Sequence, residues 1–264
     1  MDFGLEGKVA LVTAASQGLG FSIAESLVRE GAKVAICSRN QDSIEAAGEK
    51  LAAIRGEDRV FAVAADLSNL DEVNGMMDQI IAHFGGIDIL VNNTGGPPTA
   101  DFVDTTYEDW QRGLEMMLFP VLQMTQRVIP SMKEKQWGRI VFMTSTWVKQ
   151  PRQSGVISTM ARSAVSGLSK HLSNELAKDN ILVNQVMPGP TWTARSKQIV
   201  SRLAEKRGVP IATIKEEIAQ EIPLGRYGTA EEIANLVTFL VSDKSSFMTG
   251  TSIQIDGGQI KSTL

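Results

Sequence analysis

Short, nearly continuous apolar runs alternate with longer amphipathic stretches from one end of this chain to the other, and few architectures accept that pattern. The apolar runs fall at 9–13, 34–38, 60–64, 87–92, 139–145, 181–187 and 252–256. A strand covered on both faces is apolar at consecutive positions rather than alternate ones, so these read as buried strands. Stretches at 19–30, 41–54, 70–84, 106–133, 155–178 and 230–242 carry helical periodicity. The repetition predicts an α/β chain, a Rossmann-type doubly wound parallel sheet of about seven strands with helices on both faces. No linker divides the 264 residues, so a single domain over 1–264 with one large core is expected. The segment 190–228 is long for a connection and should carry its own helices. It reads as a substrate lid, with surface packing or a subunit contact as the alternatives.

Bulk properties exclude several functions. The net charge of −4 gives no basic footprint, so no nucleic-acid partner is expected. No apolar run approaches the roughly 20 residues of a membrane span, so no membrane partner is expected either. Residues 1–7 lack the basic and apolar regions of a signal peptide. The one cysteine, Cys37, lies in an apolar run and reads as a small buried hydrophobe in a reducing, cytoplasmic setting. No metal site is expected, and His83 and His171 read as surface residues.

The first strand runs into Thr13-Ala14-Ala15-Ser16-Gln17-Gly18-Leu19-Gly20, and a helix follows at once. Glycines at a strand-to-helix turn let backbone approach a pyrophosphate, and the helix start supplies free N–H groups and a favourable dipole. The spacing resembles the Thr-Gly-x-x-x-Gly-x-Gly turn of the short-chain dehydrogenase/reductase family, with Ala14 replacing its first glycine. Other motifs follow in that family's order: Asp66-Leu67, Asn92-Asn93-Thr94-Gly95, Pro188-Gly189-Pro190-Thr191-Trp192-Thr193, Pro223-Leu224-Gly225-Arg226 and Asp256-Gly257-Gly258. Residues 5–258 are covered, and the chain looks like a divergent β-ketoacyl-carrier-protein-reductase-like branch. The resemblance implies a cofactor site made by Thr13, Ala15, Ser16, Gln17, Gly18, Leu19 and Gly20 at the turn. Asp66, Leu67, Asn93, Thr94 and Gly95 would join it beyond the middle strands, with Pro188, Gly189, Thr191 and Thr193 beside the nicotinamide. At the end of the second strand an acid would favour NAD(H), but this chain reads Ser38-Arg39. An arginine there pairs with a 2′-phosphate, so NADP(H) is predicted over NAD(H).

The family's proton-transfer pair, Tyr-x-x-x-Lys, is missing. Ser145 matches its catalytic serine, but the tyrosine and lysine positions hold Ser158 and Arg162, and the asparagine position holds Met117. Tyr107 and Tyr227, the only tyrosines, are followed four residues later by Gln111 and Glu231, so neither starts the missing motif. Residues 158 and 162 share a helix face. An alkyl hydroxyl is a poor acid or base, and arginine does not shuttle protons, although it can anchor a ribose or hold an oxyanion. Ser145, Ser158 and Arg162 are therefore the candidate catalytic residues, with Arg162 also a cofactor anchor. Trp147, Trp192 and Met187 are expected to line the substrate pocket. The methionines Met117, Met143 and Met160 read as pocket wall or core filling.

These readings favour an NADP(H)-dependent oxidoreductase acting on a small-molecule carbonyl or alcohol through an altered site. A non-catalytic nucleotide-binding protein and a non-redox lyase or isomerase are the alternatives. The resemblance also implies a homodimer or homotetramer.

Overall fold

The computed structural model describes residues 2–263. Seven strands form one parallel sheet: β1 (Val9–Val12), β2 (Lys33–Ser38), β3 (Val60–Ala64), β4 (Ile89–Asn92), β5 (Gly138–Met143), β6 (Ile181–Pro188) and β7 (Ser252–Ile255). Their order across the sheet is β3-β2-β1-β4-β5-β6-β7. The chain leaves β1 in one direction and returns at β4 in the other. This switch point opens a crevice beyond the strand ends, where ligands of such sheets bind.

Helices cover both faces. Ala10 and Val12 of β1 point into one apolar layer, against Ile23 and Leu27 of α1 (Gly18–Arg29), Ile44 and Leu51 of α2 (Gln41–Arg55) and Val237 of a late helix. Val9 and Leu11 point into the other, against Val73, Met76 and Ile80 of α3 (Leu70–Phe84) and residues of later helices. Both faces of each central strand are thus buried, which explains the unbroken apolar runs. Each such Leu or Ile contributes roughly 1.5–3 kcal/mol by leaving water.

The amphipathic stretch 106–133 is two helices rather than one. α4 (Tyr107–Met117) ends at Leu118, and α5 (Phe119–Lys135) begins with Pro120 in its first turn. Proline lacks the N–H that would continue the ladder to residue 116, so the helix breaks and restarts. α6 (Val156–Leu176) then packs against α4. Segment 190–228 does carry its own helices, α7 (Ala194–Arg207) and α8 (Ile211–Gln220), before α9 (Ala230–Val241) closes the first layer. No helix among the described residues is long and apolar enough to cross a membrane.

Ala14 adopts φ +49°, a left-handed conformation, at the position where the resembling family carries glycine. Such a conformation costs an L-residue roughly 1–2 kcal/mol, partly offset by glycine's greater unfolded-state freedom. Ala14→Gly should therefore stabilise the fold by about 1 kcal/mol, seen as a rise of about 2–4 °C in Tm. An unchanged or lowered Tm would show that the turn is not strained.

Candidate active site

The glycine turn is built by close approach. A Cβ on Gly20 would lie 2.5 Å from the Ala14 carbonyl oxygen and 2.8 Å from the Ala15 Cα, so no side chain fits there. Gln17 precedes α1 without capping it, and the first turn carries no acid. The N–H groups at the start of α1 therefore face the crevice with no side chain satisfying them. Thr13 and Asn93 clip the ends of β1 and β4 together. The Thr13 hydroxyl donates to the Asn93 carbonyl at 2.6 Å and accepts the Asn93 N–H at 2.9 Å. The Asn93 amide donates to the Thr13 carbonyl at 3.1 Å.

The crevice is a cleft of about 850 Å³ running from Ser38, Arg39, Asp66 and Leu67 at one end to Arg112, Trp147 and Ile199 at the other. Ser16, Gln17, Gly18 and Leu19 line it, as do Asn93, Thr94, Gly95, Pro188 and Thr193. Uncapped helix N–H groups, a glycine cradle and an exposed Arg39 that forms no ion pair among the described residues suit a phosphate-bearing dinucleotide. The Asp66 carboxylate accepts from the Ser68 N–H and hydroxyl, which fixes its orientation at that end.

Ser145, Ser158 and Arg162 meet in the cleft. Ser145 follows β5, and its Oγ accepts the Trp147 N–H at 3.2 Å. Ser158 and Arg162 lie one turn apart near the start of α6, and Arg162 Nε–H donates to Ser158 Oγ at 3.2 Å. The Arg162 Nη1 donates to the carbonyls of Met143 at 2.9 Å and Thr144 at 3.1 Å, and Nη2 reaches the Gly95 carbonyl at 3.4 Å. The guanidinium thus ties β5, α6 and the loop after β4 together. Burial pushes Arg162 down to about 10, so it remains a cation at neutral pH. Trp147 is held by Gly155, where a Cβ would sit 2.5 Å from the indole ring.

The structure moves several expected residues out of the cleft wall. Met187 is 1% exposed on β6 and does not reach the cleft. The side chains on both faces of that inner strand are covered, so position beside a motif did not place it on the open side. Trp192 turns into the 190–228 segment instead, its ring 5.1 Å from that of Tyr227 and 4.3 Å from the Lys215 ammonium. Thr13, Ala15, Gly20, Gly189 and Thr191 shape the cleft from behind without lining it. Ala15 donates to the Cys37 carbonyl at 2.9 Å, a Cβ on Gly189 would lie 2.5 Å from Asp256 Cβ, and Thr191 Oγ1 donates to the Gly189 carbonyl at 3.1 Å.

No tyrosine, lysine or histidine lines the cleft among the described residues. Tyr107 is 77% exposed on α4, and Tyr227 is 8% exposed, buried against Trp192 with its hydroxyl unpartnered. Met117 is 2% exposed and packs with Ile157 and Ala161. Cys37 is buried, and burial pushes its thiol up to about 12, which keeps it unreactive. No group of three or more His, Cys, Asp or Glu side chains among the described residues is placed to hold a metal ion.

Sequence reasoning missed Arg112 and Met116 on α4, and Arg195, Gln198 and Ile199 on α7, all of which line the cleft. Each pair at i and i+4 shares a helix face, but nothing in the sequence says which face meets the crevice.

Comparison with known proteins agrees with this geometry. A model of the enoyl-(acyl carrier protein) reductase family matches residues 13–259. The NADPH-dependent reductase BacG of Bacillus subtilis (strain 168) is 33% identical, with 97% of this chain and 98% of that protein aligned. The 3-oxoacyl-[acyl-carrier-protein] reductase FabG of Aquifex aeolicus is 34% identical, with 98% and 99% aligned. Among solved structures, L-sorbose reductase from Gluconobacter frateurii, complexed with NADPH and L-sorbose, superposes with a TM-score of 0.94 at 31% identity. That match covers 99% of this chain and all of the other. With its glycine turn, its parallel sheet and its relatives in agreement over nearly the whole length, this chain belongs to the short-chain dehydrogenase/reductase family of oxidoreductases.

Proposed function

We propose that the protein is an NADP(H)-dependent oxidoreductase that interconverts a small-molecule carbonyl and its alcohol, with Ser145, Ser158 and Arg162 as the reacting centre. The observation that carries this reading is the Arg162–Ser158 hydrogen bond inside a cleft continuous with the glycine turn. Bound nicotinamide supplies or accepts the hydride. The chain's own residues must then hold the substrate oxygen as charge develops on it.

Two hydroxyls are prepared for that. The Oγ of Ser158 accepts from the guanidinium, and the Oγ of Ser145 accepts from the Trp147 N–H. Each hydroxyl has one proton, and with an acceptor position already filled, that proton is left for the substrate oxygen. Two O–H donors backed by a half-buried cation stabilise an oxyanion in a restricted, low-dielectric site. Neither serine titrates near neutrality and Arg162 stays charged, so water supplies the proton that completes the alcohol. Segment 190–228 acts as the lid: Arg195 Nη2 donates to the carbonyls of Gly96 and Pro97 at 3.4 and 3.1 Å. At its far end Arg152 pairs with Glu221 at 2.7 Å.

NADP(H) is favoured by Ser38 and by the exposed Arg39, which has no ion pair among the described residues, at the adenosine end, and by the NADPH dependence named for BacG and the NADPH bound in the sorbose reductase structure. Arg39→Ala should weaken NADPH binding by about 10- to 100-fold, the size of a charge-assisted contact, and leave NADH binding nearly unchanged. Calorimetric titration with both cofactors checks this. Tighter NADH binding that ignores the substitution would overturn the assignment. The activity itself is tested by following NADPH absorbance with a panel of ketones. Cofactor that binds but is never consumed would instead favour a non-catalytic nucleotide-binding protein, the reading supported by the lack of any cleft tyrosine or lysine among the described residues.

A further inference from the structure

We infer that the substrate is an oxo acid, or the matching hydroxy acid, whose carboxylate sits between Arg112 of α4 and Arg195 of α7 while its apolar body lies against Met116, Trp147 and Ile199. The inference rests on the oxidoreductase reading and adds the substrate's class to it.

The protein carries a net charge of −4, yet its cleft is lined by four arginines, Arg39, Arg112, Arg162 and Arg195, and a single carboxylate, Asp66. A bound NADP(H) accounts for part of that positive charge. Arg39 lies at the adenosine end, and the pyrophosphate is served by the start of α1 rather than by side chains. Arg162 is committed to the Met143 and Thr144 carbonyls and to Ser158, so it has little left to offer a second anion.

Arg112 and Arg195 remain. Arg112 is exposed and forms no ion pair among the described residues. Of the acids on its own helix face, Asp109 feels the charge of Arg112 but has its carboxylate engaged by the Thr106 N–H and hydroxyl, and Glu115 accepts from Gln111. Among the described residues Arg195 donates to the carbonyls of Gly96 and Pro97 and pairs with no carboxylate, and burial, with the charge of Arg202 behind it, pushes its guanidinium down. A cation in that position gains from an incoming anion. The helix that carries it strengthens the field, since its first three turns hold Arg195, Lys197 and Arg202 and no acid, while Arg207 at its far end pairs with Glu217 of α8.

Apolar side chains line the same cleft as these arginines: Met116 follows Arg112 by one turn, Ile199 follows Arg195 by one turn, and Trp147 stands beside Ser145. An apolar body with a terminal carboxylate matches this lining, and Ser145 and Ser158 meet its carbonyl oxygen. Reduction converts the ketone to a secondary alcohol: NADPH gives its hydride to the carbonyl carbon and becomes NADP⁺, and water gives a proton to the oxygen.

The test compares phenylglyoxylate, phenylpyruvate and 2-oxohexanoate with their ethyl esters. In the unaltered protein at least one acid should exceed its ester at least about tenfold in kcat/KM, and added salt should shrink that advantage. Arg112→Ala should cut the acid-over-ester ratio about tenfold by raising the KM for the acid, and Arg112→Lys should restore part of it. Equal use of acids and esters, or a ratio that survives Arg112→Ala, overturns the inference while leaving the oxidoreductase reading intact. An Arg195→Ala variant that weakens NADPH binding without moving the acid KM overturns the two-arginine site. If nothing is turned over, calorimetry on the NADPH-loaded protein decides. Acid binding that is lost in Arg112→Ala sustains the anion site and sinks the redox reading, and absence of acid binding sinks the site itself.

Discussion

Ser158→Ala is expected to lower kcat for carbonyl reduction by about 10²–10³-fold, the cost of removing one oxyanion donor from a preorganised site. The hydroxyl lost is the one oriented by Arg162, whose Nε–H donates to it at 3.2 Å. Ser145 would remain, accepting from the Trp147 N–H, and would hold the substrate oxygen with one donor in place of two. Because the missing contact strengthens only as charge develops, the loss should fall on kcat while KM changes little. Stability should hardly move, since Ser158 is only half-buried and the other Arg162 donors keep their carbonyl partners. Ser158→Thr, which retains the hydroxyl, should recover most of the rate. A Ser158→Ala enzyme with raised KM and normal kcat would mean that the hydroxyl merely grips the ground state.

The parts of this molecule that were legible in its sequence are those set by periodicity and by glycine. The period of the apolar runs placed all seven strands to within two residues at either end, because burial on both faces leaves an unmistakable signature. The turn after β1 was legible because Gly20 admits no Cβ. That Ser145, Ser158 and Arg162 line one cleft was legible because strand end and helix register fix them relative to those anchors. Other features depended on facts that no one-dimensional pattern carries. The break at Leu118 hinges on Pro120 falling in a first turn rather than inside a continuous helix. Met187 and Trp192 were misplaced because proximity to a motif says nothing about which way a side chain turns. Met187 is buried on β6, and Trp192 turns toward Tyr227 within the 190–228 segment. Arg112 and Arg195 were invisible for the opposite reason. Exposed helical arginines are common, and only the meeting of α4 and α7 over one cleft distinguishes these two.

Rebuilding the missing pair should reverse the chemistry of the site. Ser158→Tyr combined with Arg162→Lys is expected to raise ketone turnover by about 10²-fold, toward the low end of what general acid catalysis provides. An ammonium one turn from a phenol lowers the phenol's pKa from about 10 toward neutrality and gives the site a proton donor that neither serine can match. The pH profile separates this from a mere repacking effect. The unaltered protein should show a flat kcat between about pH 6 and 9, because burial pushes Arg162 down only to about 10 and no histidine, lysine or tyrosine lines the cleft among the described residues. The double variant should acquire a titration inside that range, with activity falling as the phenol loses its proton. Two features limit the gain. Met117, buried with Ile157 and Ala161, offers no polar group to relay protons behind the new lysine. The Met143 and Thr144 carbonyls also lose the Arg162 Nη1 that now donates to both, at a cost of about 1–3 kcal/mol in stability. Adding Met117→Asn should therefore increase turnover further only in the rebuilt background. A double variant that binds NADPH but turns over no faster, with a flat profile, would show that the carbonyl is not delivered to position 158 and that the reacting centre has been misplaced.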